Sequence, residues 1–347
     1  MRHLRALKRA TLRALLGLLA SMPALIAPAH AQAPSYAARP EVQAFIAELV
    51  ATEGFDGAAL RRVFAQARYQ PRVIAAMSRP LVAPPRWHEY APQFLNPARV
   101  EAGVAFWHEN AVVLTRAQEE FGVPAEVIVA IIGVETFYGR NTGSYRVFDA
   151  LVTLAFDYPR RADFFTSELK QFLLLTREQK VTPLAPQGSY AGALGLPQFM
   201  PGSIRAYAVD YDGDGRIDLI SDTADAIGSV ANFLARHGWQ PGQPVMEPVR
   251  MEAETEDLIL HTLDGGIAER RSIMAWVRDG VTGFGIPGDL APDPVGLLML
   301  EDAGGPSYWM VFNNWYVLTR YNRSRLYASA VWDLARVLKA ASTAAAR

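Results

Sequence analysis

No cysteine occurs among the 347 residues. That absence excludes disulfides, an acyl-cysteine lipid anchor and any cysteine-bearing zinc motif. Beyond the first thirty residues no run is apolar for the roughly 20 residues that a membrane-spanning helix needs. An excess of positive charge is also missing. The 34 Lys and Arg residues face 35 Asp and Glu, which argues against a nucleic-acid binder, since such proteins usually show a basic face. There is no internal repeat, and no Gly/Ser-rich or Pro-rich linker long enough to separate independent domains. One large domain or two intimate lobes is expected.

The N-terminus is a different kind of sequence. "MRHLRALKRATLR" carries Arg2, Arg5, Lys8, Arg9 and Arg13 and no acid, and "ALLGLLASMPALIAPAHA" follows. A basic region, an apolar region and a terminal Ala29-His30-Ala31 describe a signal peptide cleaved after Ala31. Pro23 and Pro28 break the apolar run short of a membrane span. Cleavage takes 31 of the 347 residues and leaves 316. It also removes five basic residues and no acidic one, leaving 29 basic against 35 acidic, a net charge of −6. A chain of that length buries enough surface to fold without disulfides. The expected mature protein, residues 32–347, is exported and lacks a transmembrane anchor.

Helical periodicity dominates what remains. In "EVQAFIAELVATEG", Val42, Phe45, Ile46 and Leu49 recur at spacings of three and four before Gly54. "NPARVEAGVAFWHENAVVLTRAQEEFG" predicts one long amphipathic helix ending at Gly122, and Pro124 predicts the start of the next. "ADFFTSELKQFLLLTRE", "TADAIGSVANFLARHGW" and "SRLYASAVWDLARVLKAA" predict three more. Residues 245–320 carry short β-like runs ("VMEPVRM", "YWMVFN", "WYVLTRY") and one short helix near "RSIMAWVRDG". The fold class is mainly α, with a small β part.

In "VIVAIIGVETFYG" eight uncharged residues precede Glu135. A helix apolar all round is a buried one. Its single acid then sits in low dielectric at the negative end of the helix dipole, and both effects raise its pKa. A carboxylic acid held protonated near neutral pH suits a general acid. The competing reading pairs Glu135 with Arg140 or Arg146, which would lower its pKa instead. Around it, "YPRRADFF", "GSYAGALGLPQFMPGS" and "RYNRSRLY" offer the arginines, amides, hydroxyls and tyrosines that read sugars.

A second feature is "DYDGDGRIDLISDTAD", residues 210–225, with six aspartates and one arginine. Asp210, Asp212, Asp214 and Gly215 stand at positions 1, 3, 5 and 6 of an EF-hand loop, with Arg216 at 7 and Asp218 at 9. Three carboxylates and the Arg216 carbonyl would hold Ca²⁺. Position 12, normally a bidentate Glu, is Ser221. A metal-free capping loop is the competing reading. His88 and His108 each precede a Glu, but neither belongs to H-E-x-x-H, so zinc is not expected.

With these runs in order, the chain resembles the lytic murein transglycosylases of the B type, periplasmic enzymes that cut peptidoglycan. The matching runs include "YAPQFLNPARVEAGVAFW", "GVPAEVIVAIIGVETFYGRNTG", "ALVTLAFDYPRRADFF", "GSYAGALGLPQFMPGSIRAYAVD" and "TRYNRSRLYASAVWDL", spread over residues 40–340. The resemblance implies a lysozyme-like catalytic core with an N-terminal helical part and a small central lobe carrying the EF-hand-like loop. It implies Glu135 as the catalytic acid. It implies Tyr90, Arg161, Ser189, Gln198, Phe199, Phe233, Tyr321, Asn322 and Tyr327 as substrate contacts, with glycan strands of peptidoglycan as the partner. Phe233 stands where tyrosine is expected. Leu194, Pro197 and Gly202 stand where Met, a small residue and Ser are expected. The resemblance adds Asp225 as the bidentate calcium ligand, with Asp222 as its substitute. Asp149, Asp157 and Asp163 are candidates for a second acid from sequence, against a reading as capping or salt-bridge residues. The implied reaction leaves 1,6-anhydromuramoyl ends without consuming water. A lysozyme-like hydrolase and an inactive, calcium-stabilised wall-binding module are the alternatives.

Overall fold

The computed structural model describes residues 35–79, 84–283, 285 and 294–345. The expected signal peptide, residues 1–31, lies outside the described residues. The N-terminal helices are α1 (Pro40–Glu53), α2 (Gly57–Phe64), α3 (Pro71–Met77) and α4 (Trp87–Tyr90). Val42, Phe45, Ile46 and Leu49 of α1 are all buried, as their spacing predicts, and α1 ends at Gly54 in the left-handed region.

The expected long helix is two: α5 (Pro97–Glu109) and α6 (Ala111–Phe121). They break at Asn110, whose backbone leaves the helical region at φ −113° and ψ 19° and whose amide donates to the Phe106 carbonyl at 2.8 Å. An Asn side chain that competes for backbone groups favours such a break. Next comes α7 (Ala125–Thr136), with Pro124 as its cap instead of its first residue. Beyond it lie β1 (Tyr145–Arg146), α8 (Val147–Asp157), α9 (Ala162–Glu178), β2 (Gln187–Gly188), α10 (Pro201–Tyr207) and α11 (Thr223–Arg236). The short antiparallel pair β1–β2 sets Tyr145 opposite Gly188.

The remaining elements are β3 (Met246–Val249), α12 (Ala253–Leu260), α13 (Ile273–Arg278), β4 (Gly296–Asp302), β5 (Gly305–Val311), α14 (Asn313–Tyr321) and α15 (Arg325–Ala345). The strands form an antiparallel sheet of order β3-β5-β4, with Leu298 opposite Trp309 and Pro248 opposite Trp309 on the other side. "WYVLTRY", expected as β-like, is helix α14. Its aromatic and branched residues favour strand locally, but Asn314, Trp315, Val317 and Leu318 are buried at helical spacing, so packing overrides propensity.

Among the described residues two apolar cores result. The main one takes in every helix from α1 to α11 together with α14 and α15. A smaller one gathers Val249, Ile259, Trp276, Val281, Leu297, Met310 and Phe312 within residues 245–312. The Asp-rich loop belongs to the first, since its Tyr211 and Leu219 are buried in the main core. The expectation that the small lobe carries that loop is thereby corrected. The chain enters and leaves the small lobe at adjacent points. Asn314 accepts from the Gln240 amide at 2.8 Å and donates to the Gln240 and Gln243 carbonyls, and the Phe312 amide donates to Val245 at 3.0 Å.

At the centre, α7 packs between α5, α6, α11 and α15. Residues 127–132 have zero exposure. Gly103 of α5 and Gly133 of α7 leave the space that the Tyr138 hydroxyl fills: a Cβ at either would lie 2.3 or 2.5 Å from that oxygen. Gly103→Ala should therefore destabilise the protein by about 1–3 kcal/mol, the usual cost of overpacking a core. A urea titration reads this as a lower midpoint with an unchanged slope.

Candidate active site

Glu135 sits in the last turn of α7, partly exposed like its neighbour Val134, at the end of a helix whose other residues are buried. Its carboxylate Oε1 accepts the Tyr327 hydroxyl of α15 at 2.7 Å. Among the described residues no arginine pairs with it. Arg146 bonds Asp149 at 2.6 Å, and Arg140 lies over the Phe137 ring at 4.7 Å. The competing sequence reading, a carboxylate neutralised by one of these arginines, is set aside by that arrangement. Burial pushes the Glu135 carboxyl up to about 7, against the Tyr327 hydrogen bond, which lowers it.

Tyrosines surround this carboxyl. The rings of Tyr321 and Tyr327 stack at 6.4 Å and 15°. Burial, and then the charge of Glu135, raise both phenols well above their ordinary value, so both remain hydrogen-bond donors. The Tyr321 hydroxyl donates to the Pro197 carbonyl at 2.6 Å. Burial and the Glu135 charge also raise Tyr90, which reaches the same neighbourhood from α4. Phe199 and Phe233, expected as substrate contacts, are 3% and 5% exposed. Their rings pack 5.7 and 5.0 Å from that of Tyr321. Phe233 also stacks on His237 at 4.1 Å and meets Tyr207 at 5.1 Å. The pair backs Tyr321 from the core and leaves almost no open ring face.

The loop after α7 and the loop at 194–199 are tied together. The Thr136 hydroxyl donates to the Leu196 carbonyl at 2.9 Å. The Gln198 amide donates to the Thr142 and Gly195 carbonyls at 3.1 and 2.9 Å. Only four described residues other than glycine have positive φ, and three of them, Phe137, Tyr138 and Gln198, lie in these two loops. Strained backbone clusters at functional sites. Ser189 follows β2, and its hydroxyl accepts from the Ala193 amide at 3.0 Å. Arg161 is exposed, with its guanidinium over Phe164 at 4.3 Å and Phe165 at 5.2 Å. Asn322 is exposed directly after Tyr321. Ser189, Arg161 and Asn322 make no bond to Glu135. Thr136 and the Pro197 carbonyl escaped the sequence reading, because contacts across 60 and 124 residues leave no local signal.

In the Asp-rich loop, carboxylate oxygens of Asp210, Asp212 and Asp214 lie within 4.8 Å of one another, all exposed. The Asp212 carboxyl is raised. The Asp214 amide pulls it down, but burial and the charges of Asp214, Asp222 and Asp225 outweigh that bond. Three anionic groups this close favour a cation. Asp225 stands apart from the trio. It is 1% exposed, and its two oxygens accept the Tyr211 and Asp218 amides at 2.6 and 2.7 Å. Asp222 caps α11 by accepting the Asp225 amide at 2.9 Å. The Arg216 amide bonds Asp214 at 2.8 Å. Asp225 thus ties the start of the loop at Tyr211 to its middle at Asp218 from inside.

Residues 37–336 match the transglycosylase SLT domain family. The chain belongs to that family. It is 40% identical over 318 residues to the membrane-bound lytic murein transglycosylase B of Escherichia coli K12, covering 87% of this chain and 84% of that protein. The soluble lytic transglycosylase SltB1 of Pseudomonas aeruginosa superposes with a TM-score of 0.82 at 48% identity, over 87% of this chain and 99% of that one. The E. coli lytic transglycosylase Slt35, solved in complex with calcium, superposes at 0.81 with 40% identity, over 89% and 95% of the two chains. The mainly α, lysozyme-like fold agrees with these relatives.

In this transglycosylase the second-acid candidates are accounted for in two cases. Asp149 is buried and accepts from Arg146, the Arg68 amide and Gln70. Asp157 pairs with Arg39 at 2.8 Å and accepts the Tyr36 hydroxyl. Both hold the N-terminal helices onto α8. Asp163 is exposed in the first turn of α9, where an acid favours the helix dipole.

Proposed function

We propose that this chain is a periplasmic lytic murein transglycosylase in which Glu135 serves as acid and then as base. The observation that carries the reading is a carboxyl raised to about 7, with a tyrosine hydroxyl and, among the described residues, no cation beside it. Near neutral pH a large fraction of Glu135 is protonated. It donates its proton to the glycosidic oxygen between N-acetylmuramic acid and N-acetylglucosamine, and the C1–oxygen bond breaks. The muramic N-acetyl oxygen assists at C1, so the substrate supplies what a second carboxylate supplies elsewhere. The Glu135 carboxylate then takes the proton of the C6 hydroxyl, whose oxygen closes on C1. A 1,6-anhydro ring forms, Glu135 is protonated again, and no water is consumed.

The other residues bind and orient. Tyr327 steers the carboxyl and stabilises its charged form between the two steps. Tyr90, Gln198, Tyr321, Ser189, Arg161 and Asn322 are proposed substrate contacts, while Phe199 and Phe233 hold Tyr321 in place. Residues 32–347 act as one catalytic unit after removal of the signal peptide. Among the described residues no helix is long and apolar enough to cross a membrane. Ca²⁺ suits the Asp-rich loop, held by Asp210, Asp212, Asp214 and the Arg216 carbonyl, with Asp225 bracing the loop. It would neutralise the aspartates and fix the loop, with no part in bond cleavage.

Mass spectrometry of fragments released from purified murein sacculi tests the reading. Anhydro ends are expected, lighter by one water than the reducing ends a hydrolase would leave. Reducing ends overturn the transglycosylase mechanism, and absence of release leaves only wall binding. Tyr327→Phe removes the hydrogen bond that lowers the Glu135 pKa. The alkaline fall in activity should move to higher pH, and kcat should drop by roughly tenfold, within the usual range for acid–base positioning. A pH–rate profile with an unmoved alkaline limb would separate Tyr327 from the proton transfer.

A further inference from the structure

We infer that Arg99 is a positioning residue for Glu135, acting by gripping the turn that follows it. This rests on the role proposed for Glu135. Arg99 lies in the first turn of α5, half-buried, and has no carboxylate within ion-pair distance among the described residues. Its contacts go to the end of α7 and to Phe94. Its Nη1 donates to the Gly133 carbonyl, two residues before Glu135. Its guanidinium lies over the Phe137 ring at 4.8 Å, two residues after Glu135, and over the Phe94 ring at 5.3 Å. A half-buried cation without a counter-charge is costly, so these contacts carry its stabilisation.

The turn it grips needs holding. Phe137 and Tyr138 are consecutive non-glycine residues at φ 53° and 57°. Side chains disfavour that region, and nothing in their chemistry offsets the cost as an Asn would. Several restraints act on the turn, including the Tyr138 amide on the Ile132 carbonyl at 3.4 Å and the Arg140 guanidinium over Phe137 at 4.7 Å; three more lie nearest to Arg99. The Gly133 carbonyl that receives Arg99 also accepts the Phe137 amide at 3.1 Å. The Tyr138 ring is wedged between Gly103 and Gly133, with its buried hydroxyl unpartnered. The Gly139 amide donates to Thr136 at 3.0 Å. Arg99 joins the first two of these three: its positive charge sits near Tyr138 and at the carbonyl end of α7, where a cation is favourable. Without it, the turn can relax toward ordinary helical backbone, and the last turn of α7 can rotate Glu135 away from Tyr327. Arg99 makes no hydrogen bond or ring contact with Glu135, Tyr90, Tyr321 or Tyr327, so substrate binding should survive its loss.

The test compares Arg99→Lys and Arg99→Met with wild type in the full-length mature protein. Arg99→Met should lower kcat by roughly 10- to 100-fold, as small misplacements of a reacting group do, with KM changed less than about twofold. Lysine can still donate to Gly133 but cannot stack as a plane, so Arg99→Lys should fall between. Hydrogen exchange at the Phe137, Tyr138 and Gly139 amides should quicken in the same order, independently of any chemistry. Unchanged exchange in Arg99→Met overturns the grip. Faster exchange with unchanged kcat overturns its catalytic consequence, as does a change confined to KM. Glu135→Gln is run beside them: an active Glu135→Gln overturns the acid–base reading itself, and the exchange result then still judges the grip. Should Arg99→Met fail to fold, Arg99→Lys decides by the same two readouts.

Discussion

Glu135→Gln will release anhydromuropeptides roughly a thousandfold more slowly than wild type, the middle of the range for removing a general acid–base, and will melt at a higher temperature above pH 7. The two effects share one cause. Burial makes the ionised carboxylate costly, and the same burial keeps it protonated for its task. The folded pKa of about 7 lies above the unfolded value of about 4.5. The folded state therefore holds an extra proton between those values, and wild-type stability falls as pH rises through that window. Below it both states are protonated and the penalty is absent; above it the penalty is full. Glutamine does not titrate, so the variant lacks this slope. Each pKa unit is worth about 1.4 kcal/mol, which sets an upper bound of roughly 3–4 kcal/mol on the gap at pH 8. Melting curves of both proteins at pH 4 and pH 8 check it. A gap as large at pH 4 as at pH 8, or none at either, contradicts the assignment, as does an active variant.

Calcium will raise the melting temperature, and Asp214→Ala will abolish that response. Asp210, Asp212 and Asp214 bring three carboxylates within 4.8 Å, and a cation that binds only the folded loop stabilises it by mass action. With the weak affinity of extracellular calcium modules, at the tighter end about 10⁻⁴ M, 10 mM Ca²⁺ contributes about 2.7 kcal/mol. Magnesium should contribute less, because it demands a regular octahedron and sheds water reluctantly. Asp214→Ala should also melt higher than wild type in chelator, since it removes repulsion. Activity should largely persist, because Asp214 is not among the groups that shift Glu135. Melting curves from chelator to about 10 mM Ca²⁺ read the effect, and coincident wild-type curves leave the loop a metal-free turn.

The parts legible in the sequence are those with local signatures. The apolar run before Glu135 announces a buried helix, and every residue of α7 except Val134 and Glu135 is buried. The spacing of Val42, Phe45, Ile46 and Leu49 placed α1 correctly. The EF-hand spacing brought three of its carboxylates together. What failed depends on distant partners. Asn110 looks like any mid-helix polar residue until the helix must bend there. "WYVLTRY" reads as strand until Trp315 and Leu318 find a core to fill. Phe233 looks like a stacking platform, but only the packing of His237 and Tyr207 shows it lies beneath Tyr321. Asp225 falls outside the carboxylate trio because its oxygens are taken by amides of the loop it braces.

The close entry and exit of the small lobe have a topological consequence. Because Asn314 and Phe312 are pinned to Gln240, Gln243 and Val245, the chain returns nearly to its point of departure before α14 begins. The segment between is an excursion hung on a continuous helical path. It can lengthen, shorten or be exchanged without rerouting α11 or α14. Its excision behind a short linker would leave the scaffold of Glu135 connected in its present order. The penalty would fall where Leu298 and Leu300 now plug the main core.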